Sequence, residues 1–246
     1  ALALLRGAYA VGLVHTDHPG KIIAARIGSP LVVGCGIGEN FIASDPQALR
    51  PVTDRFIYLD EGEIVEITAD TIEIFGGSDV PTDSRIVRLD ATADATDKGG
   101  YRHYMMKEIH EQPDSVRRTL EGRITDKQVL INAFGAEAES IFSQTKAVQI
   151  VACGSSFYTG LVAKYWCEQI VGVPCHVEIA SEFRYRKVAV QPNTLMVTIS
   201  QSGETADTLA ALRDATDENY LASLCLCNVP NSSLVRESDL CLMINA

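Results

Sequence analysis

Short apolar runs broken by turn residues fill the chain as far as about Leu89, at residues 8–15, 22–25, 31–34, 41–44, 56–59, 63–68 and 71–75. Runs of this length, rich in β-branched and aromatic residues, read as strands. Polar and apolar residues alternate in Glu63-Ile64-Val65-Glu66-Ile67 and Thr71-Ile72-Glu73-Ile74. That alternation predicts sheets with one wet face and one buried face. Asp60-Glu61-Gly62, lying between two of the runs, has hairpin-turn chemistry. This half of the chain is expected to be β-rich.

The pattern changes across Ala91-Thr92-Ala93-Asp94-Ala95-Thr96-Asp97-Lys98-Gly99-Gly100. Such small and polar residues bury little and bend easily, which predicts a linker at 93–100. Beyond it, 105–112 and 115–120 read as helices divided by Pro113. Strand-like 148–152, 175–179, 195–200 and 221–227 then alternate with helix-like 156–170 and 205–215, and 240–244 is again strand-like. This series predicts a parallel sheet with helices packed on it.

Open α/β sheets bind ligands beyond the carboxyl ends of their strands. Two of the loops expected there are rich in hydroxyls: Cys153-Gly154-Ser155-Ser156 and Ser200-Gln201-Ser202-Gly203-Glu204-Thr205. Each leads into a helix, whose first N–H groups lack intrahelical acceptors and carry the positive end of the macrodipole. Strand, hydroxyl turn and helix N-terminus together suit an anion. No Lys stands in either loop, so a singly phosphorylated small molecule fits better than a nucleoside triphosphate. The alternative reading is that these Ser and Thr residues only cap helices, worth about 1 kcal/mol each. Glu204 reads as a first-turn carboxylate favourable to the helix dipole, not as a general base. Tyr165 and Trp166, mid-helix, are expected in the core or at a subunit contact.

Other chemistries find little support. Neither G-x-x-x-x-G-K-[ST] nor G-x-G-x-x-G follows a strand. Gly34-Cys35-Gly36-Ile37-Gly38 has the wrong glycine spacing and leads into the strand-like Phe41-Ile42-Ala43, so a β-turn is expected there. A hydrolase elbow would need Gly at Tyr158, and none of the five histidines completes a triad. The seven cysteines are odd in number and sit mostly in apolar segments, as core thiols of a reducing compartment do. Cys225-Leu226-Cys227 points both thiols to one face, but no second ligand pair follows, and neither a metal nor a cofactor is expected.

Composition sets the remaining bounds. At 246 residues, 46% hydrophobic and 22% charged, the chain can bury one large or two modest cores. A formal charge of −11 argues against a nucleic-acid partner, whose phosphates need Lys and Arg. There is no run of membrane-spanning length and no visible signal peptide, which makes the cytoplasm the expected location. The first residues read as the end of a helix and the last follow directly on a strand, so a piece of a longer protein is expected.

Longer strings carry a resemblance. The two hydroxyl loops, with Glu178-Ile179-Ala180-Ser181-Glu182-Phe183-Arg184-Tyr185-Arg186 between them, resemble the sugar isomerase (SIS) domain of the glutamine:fructose-6-phosphate amidotransferases. Tyr101-Arg102-His103-Tyr104-Met105-Met106-Lys107-Glu108-Ile109 resembles that family's domain junction. Arg6-Gly7-Ala8-Tyr9, Gly28-Ser29-Pro30-Leu31 and Gly38-Glu39-Asn40-Phe41-Ile42-Ala43-Ser44-Asp45 resemble the later part of its glutaminase domain.

The resemblance implies two parts. Residues 1–92 would be the C-terminal part of a type 2 glutaminase, an α+β remnant of the N-terminal-nucleophile αββα fold. Residues 101–246 would be a first SIS domain, an α/β fold whose parallel sheet is flanked by helices. The implied activity of the whole enzyme is glutamine-dependent conversion of fructose 6-phosphate to glucosamine 6-phosphate and glutamate, in a homodimer. The sugar-phosphate contacts carried over are Ser156, Ser200, Gln201, Ser202 and Thr205. Ser155 stands where the family most often has Thr, a change that keeps the hydroxyl. The family's nucleophile and isomerase residues match no position here, so no catalytic residue is assigned and the fragment alone is expected to be inactive. A phosphosugar-sensing SIS module without catalysis is the other reading.

Overall fold

The structure, a computed structural model, describes residues 2–76, 81–89, 98–216 and 220–245. Of the stretch expected as a linker, 93–100, residues 93–97 lie outside the described residues. The chain divides into two compact units, Ala1–Asp97 and Lys98–Ala246.

The first unit holds strands β1 (Tyr9–Leu13), β2 (Ile22–Ile27), β3 (Val32–Cys35), β4 (Asn40–Ala43), β5 (Arg55–Tyr58), β6 (Ile64–Ile67), β7 (Ile72–Phe75) and β8 (Val87–Arg88). They form two antiparallel sheets, ordered β1-β2-β6-β7 and β4-β3-β5-β8. Ala24, Val65 and Ile67 of one sheet share a core with Val33, Cys35 and Ile57 of the other, so the sheets bury their inner faces on each other. The glycine-rich stretch after β3 is the expected turn: Gly36 N–H donates to the Glu39 carbonyl at 3.0 Å and Gly38 takes a left-handed φ of 69°.

Two expectations fail in this unit. Asp60-Glu61-Gly62 does make a tight turn, with Glu63 N–H donating to the Asp60 carbonyl at 3.3 Å, but no hairpin. β5 pairs with β3 and β8 while β6 pairs with β2 and β7, so the turn passes the chain from one sheet to the other. Turn chemistry is local, whereas the choice of partner strand is not. Glu63, expected on a wet face, shares the buried face with Val65 and Ile67 and is fully inaccessible. Its carboxylate accepts two hydrogen bonds from the Arg85 guanidinium, at 2.7 and 2.9 Å, and one from the Asp60 N–H at 2.7 Å.

The second unit begins with a long helix α1 (Tyr104–Leu120), followed by α2 (Ala138–Gln144), β9 (Ala147–Ala152), α3 (Gly154–Trp166), β10 (Cys175–Ile179), α4 (Ala180–Phe183), β11 (Thr194–Ser200), α5 (Ala206–Thr216), β12 (Ala222–Cys227), α6 (Ser233–Glu237) and β13 (Leu240–Met243). Pro113 does not divide the first helix as expected but lies inside it. Helical φ at proline is no obstacle; what is lost is one backbone bond, and α1 continues through that gap. α3 passes into a π-helical turn, Cys167–Val171, which stops at Gly172 in the left-handed conformation.

The five strands are all parallel, in the order β10-β9-β11-β12-β13. Parallel strands covered on both faces read as nearly continuous apolar runs, and every residue of β11 is buried. Alternate residues of each strand serve two cores. Ile150, Ala152, Leu195, Val197 and Ile199 pack with Phe157 and Ala163 of α3 and with Ala138, Ile141 and Phe142 of α2. On the other side, Val151 and Met196 meet Ala180, Phe183 and Ala211, while Cys225 and Cys227 meet Leu209, Leu212 and Leu234. The result is a doubly wound domain of helix, sheet and helix.

Gly160 fixes how closely α3 lies on the sheet. A Cβ there would stand 3.0 Å from both Ile150 Cγ2 and Val177 Cγ1. Gly160→Leu is therefore expected to push the helix off β9 and β10 and to lower stability by about 1–3 kcal/mol, read as an earlier midpoint in urea denaturation.

Candidate functional site

Strand order decides where the two hydroxyl loops meet. Within the second unit the order is second, first, third, fourth, fifth, so the topology switches between β9 and β11. In such sheets the ligand crevice opens at that switch point, beyond the carboxyl ends of the strands. Ile199 is the register partner of Ala152. The loops that follow these residues, Cys153 to Ser156 and Ser200 to Thr205, therefore start side by side. The Thr208 hydroxyl of α5 stands 3.8 Å from the Cys153 sulfur and ties the second loop's helix to the first loop.

The first loop is shorter than the sequence suggests, because α3 begins at Gly154 and not at residue 156. Gly154 has a φ of 57°, a left-handed conformation that turns the chain sharply from strand to helix. Ser155 is exposed and Ser156 half-buried, both within the first turn of α3. The first intrahelical bond runs from Phe157 N–H to the Cys153 carbonyl, 3.4 Å, which leaves the preceding N–H groups facing the crevice end of the helix.

The second loop is held by its own side chains. Buried Ser200 accepts a hydrogen bond from the Gly203 N–H at 3.0 Å, and its hydroxyl lies 3.4 Å from that of Thr205. The Ser202 hydroxyl accepts from the Glu204 N–H at 3.2 Å. Gln201 is exposed, while Ser202 and Thr205 are half-buried. Gly203 is buried with φ 67° and packs against Ser232 and Cys227, and its carbonyl accepts from the Leu234 N–H at 3.1 Å. The five candidate residues thus lie at one end of the sheet, Ser156 in the first turn of α3 and Ser200, Gln201, Ser202 and Thr205 on the adjoining loop.

Several residues take parts around the site that the sequence did not assign to them. Glu204 also reaches a second helix: its carboxylate accepts from the Ser233 N–H at 2.8 Å, at the start of α6. The acidic residue in the first turn of α5 is Asp207, which pairs with Arg184 at 2.8 Å. That ion pair offsets a carboxylate that would otherwise repel an anion at this helix end. Cys227, taken for an ordinary core thiol, backs the loop, with its sulfur 3.8 Å from the Gln201 carbonyl and 3.4 Å from the Ser232 hydroxyl. Burial pushes this thiol above its ordinary pKa, so it stays neutral. Apart from Ser232, five residues from Cys227, these partners are 23 to 29 residues apart in sequence, and only spatial proximity could have identified them.

The arrangement offers neutral hydroxyls and two helix N-termini, with no Lys or Arg in either loop. Such a set of groups is suited to holding an anion with hydroxyls beside it. Among the described residues no group of three or more metal-ligating side chains is assembled, and none of their helices is long and apolar enough to cross a membrane.

Comparison with known proteins agrees with this geometry. The SIS domain profile matches residues 141–246. The chain is 57% identical over 246 residues to the glutamine–fructose-6-phosphate aminotransferase [isomerizing] of Pseudomonas syringae pv. tomato, covering all of this chain and 40% of that protein. It is 54% identical to the Escherichia coli K12 protein of the same name, again over its full length and 40% of the relative. Among solved structures, the C-terminal domain of glucosamine-fructose-6-phosphate aminotransferase from Francisella tularensis is 53% identical and superposes with a TM-score of 0.58, over 60% of this chain and 42% of that one. The chain thus spans about two fifths of the length of the curated relatives it matches. Residues 141–246 form a SIS domain, in a chain that along its whole length is similar to the glutamine–fructose-6-phosphate aminotransferases.

Proposed function

We propose that this chain is part of an enzyme that converts fructose 6-phosphate and glutamine to glucosamine 6-phosphate and glutamate, and that its two hydroxyl loops hold the sugar phosphate. The observation that carries this reading is the adjacency of the loops at the switch point of a parallel sheet. In the proposed complex, Ser200, Ser202 and Thr205 donate their hydroxyls to the phosphate together with the N-terminal N–H groups of α5. Ser156 and Gln201 reach the phosphate or the nearest sugar hydroxyls from the rim. Neutral donors at a helix N-terminus bind a dianion firmly enough to orient it and weakly enough to release it.

The same reading assigns residues 1–92 to the later part of a glutaminase domain of the N-terminal-nucleophile type, 93–100 to a linker and 101–246 to a first SIS domain. The face-to-face packing of two antiparallel sheets in the first unit supports it. Glutamine would be a substrate of the complete enzyme, in the cytoplasm. A homodimer is supported by Tyr165 and Trp166, which are not core residues: they are 62% and 60% exposed on α3, in line with exposed Tyr158, Val162 and Ile170.

The test is calorimetric titration of glucosamine 6-phosphate into the chain, with unphosphorylated glucosamine and a Ser202→Ala variant as controls. The expected result is binding of the phosphorylated sugar alone and a roughly 10- to 100-fold loss in the variant, as for a hydrogen bond to a charged group. Equal binding of both sugars, or an unchanged variant, would overturn the assignment of Ser202 to the phosphate.

A further inference from the structure

β12 and β13 run in parallel register with Cys225 opposite Cys241 and Cys227 opposite Met243. Cys225 and Cys227 point to the face covered by α5 and α6, and Cys241 packs on the same cluster. The Cys241 sulfur lies 3.5 Å from the Met243 sulfur, so four sulfur side chains line one face of two neighbouring strands. Cys225 is fully buried, Cys241 is half-buried, and both are free thiols.

Register partners on adjacent strands stand about 4.8 Å apart, inside the ~4.4–6.8 Å window between Cα atoms that a disulfide bridges. We propose that Cys225 and Cys241 form a thiol-oxidation site, at which hydrogen peroxide closes a reversible disulfide between β12 and β13. Cys241 reacts first because it alone of the two is accessible. Its sulfur attacks one peroxide oxygen, the O–O bond breaks, and a sulfenic acid forms while the other oxygen leaves as water with the thiol proton. The Cys225 sulfur then attacks Cys241, the S–S bond forms, the S–O bond breaks, and a second water leaves with the Cys225 proton. Two thiols lose two hydrogens and one peroxide becomes two waters.

The surroundings favour this order. A hydrogen bond from Cys225 lowers the Cys241 thiol to about 7 against the opposing effect of burial, and the Arg123 guanidinium adds to the lowering. Arg123 is fixed there by its bond to the Met243 carbonyl. The reactive species is the thiolate, so Cys241 is the better nucleophile. Cys225 is shifted upward by the same bond and by burial, which suits the resolving thiol. Cys175, which neighbours Cys167, is by contrast pushed up to about 12, first by burial. Parallel strands hold their Cβ atoms farther apart than the usual ~3.8 Å, so the bond closes with strain and stays readily reducible.

Peroxide treatment of the folded chain, alkylation of the remaining thiols after denaturation, tryptic digestion and mass spectrometry test the site. Cleavage after Arg236 separates residues 214–236, with Cys225 and Cys227, from 237–246, with Cys241. The expected product is these two peptides joined with loss of two hydrogens, separated again by dithiothreitol, absent in Cys225→Ala and Cys241→Ala, and retained in Cys227→Ala. Cys241→Ala changes only a half-buried side chain, which keeps the test decisive if Cys225→Ala fails to fold. A link that survives Cys225→Ala, or peroxide treatment that leaves the peptides unjoined, overturns the proposal. The result is independent of the sugar-phosphate reading.

Discussion

Gly203→Ala is expected to collapse the second hydroxyl loop and to lower the stability of its domain by about 2–6 kcal/mol. Two separate costs make up that figure. A non-glycine residue held at a φ of 67° is strained by roughly 1–3 kcal/mol. Its Cβ would also lie 2.0 Å from Ser232 Oγ, 2.5 Å from Ser232 Cβ and 2.7 Å from Cys227 Sγ, all in a packed interior. Overpacking of this kind typically costs a further ~1–3 kcal/mol. The total is a large share of the ~5–15 kcal/mol by which domains are stable. Urea denaturation should show it as an earlier midpoint, and glucosamine 6-phosphate should no longer bind. Ser232→Gly in the same chain removes two of the three collisions and should recover part of the loss, but not the part due to φ. A Gly203→Ala chain with an unaltered midpoint would mean that the loop does not adopt this backbone.

Breaking the buried ion pair of the first unit should be of similar size. Glu63 has a side-chain exposure of 1% and Arg85 of 11%, so both partners are largely shielded from solvent. Glu63→Ala leaves the Arg85 guanidinium with only the Tyr58 carbonyl and the exposed Asp60 carboxylate as partners, and the expected cost lies toward the lower end of the ~3–5 kcal/mol for breaking a buried pair. The double variant Glu63→Leu with Arg85→Met should lose less than either single change, since it removes both charges while keeping the volume. A double variant that loses the sum of the two single effects would show that the pair does not interact.

The same pair sets an acid limit. Burial raises the Glu63 pKa, but the hydrogen bonds from Arg85 and the Asp60 N–H, with the Arg85 and Arg26 charges, outweigh it and leave the carboxyl below its ordinary value. A carboxylate lowered in the folded state contributes stability that is fully present above the ordinary carboxylate range of about 4.3. That contribution is lost as pH falls through the lowered folded value. Loss of stability below about pH 4 should therefore be shallower in the Glu63→Leu, Arg85→Met chain than in the parent.

The two halves of the chain differ in how much could be read ahead of the structure. The residues of β11 are apolar almost without a break because both faces of that strand are covered, and such a run is visible without knowing the neighbours. The hydroxyl loops were visible for a related reason: strand, turn and helix start are consecutive in sequence, so their chemistry is local. In the first unit, by contrast, Asp60-Glu61-Gly62 announced a turn correctly and a hairpin wrongly, because pairing is settled by strands far away. Pro113 announced a helix boundary that continuing backbone bonds on either side override.

The sequence by itself determined the elements, the division between a β-rich half and an alternating α/β half, and the hydroxyls that could meet an anion. Those depend on residues close together in the chain, through side-chain periodicity, turn preference and helix capping. Only the tertiary structure decided that β9 and β11 are neighbours, which brings Ser156 beside the Ser200 loop. It also decided that Glu204 caps α6, that Asp207 is offset by Arg184, and that Glu63 is buried against Arg85. Each of these depends on a partner supplied by a distant part of the chain, and a charge or a strand edge becomes satisfied only when folding brings that partner to it.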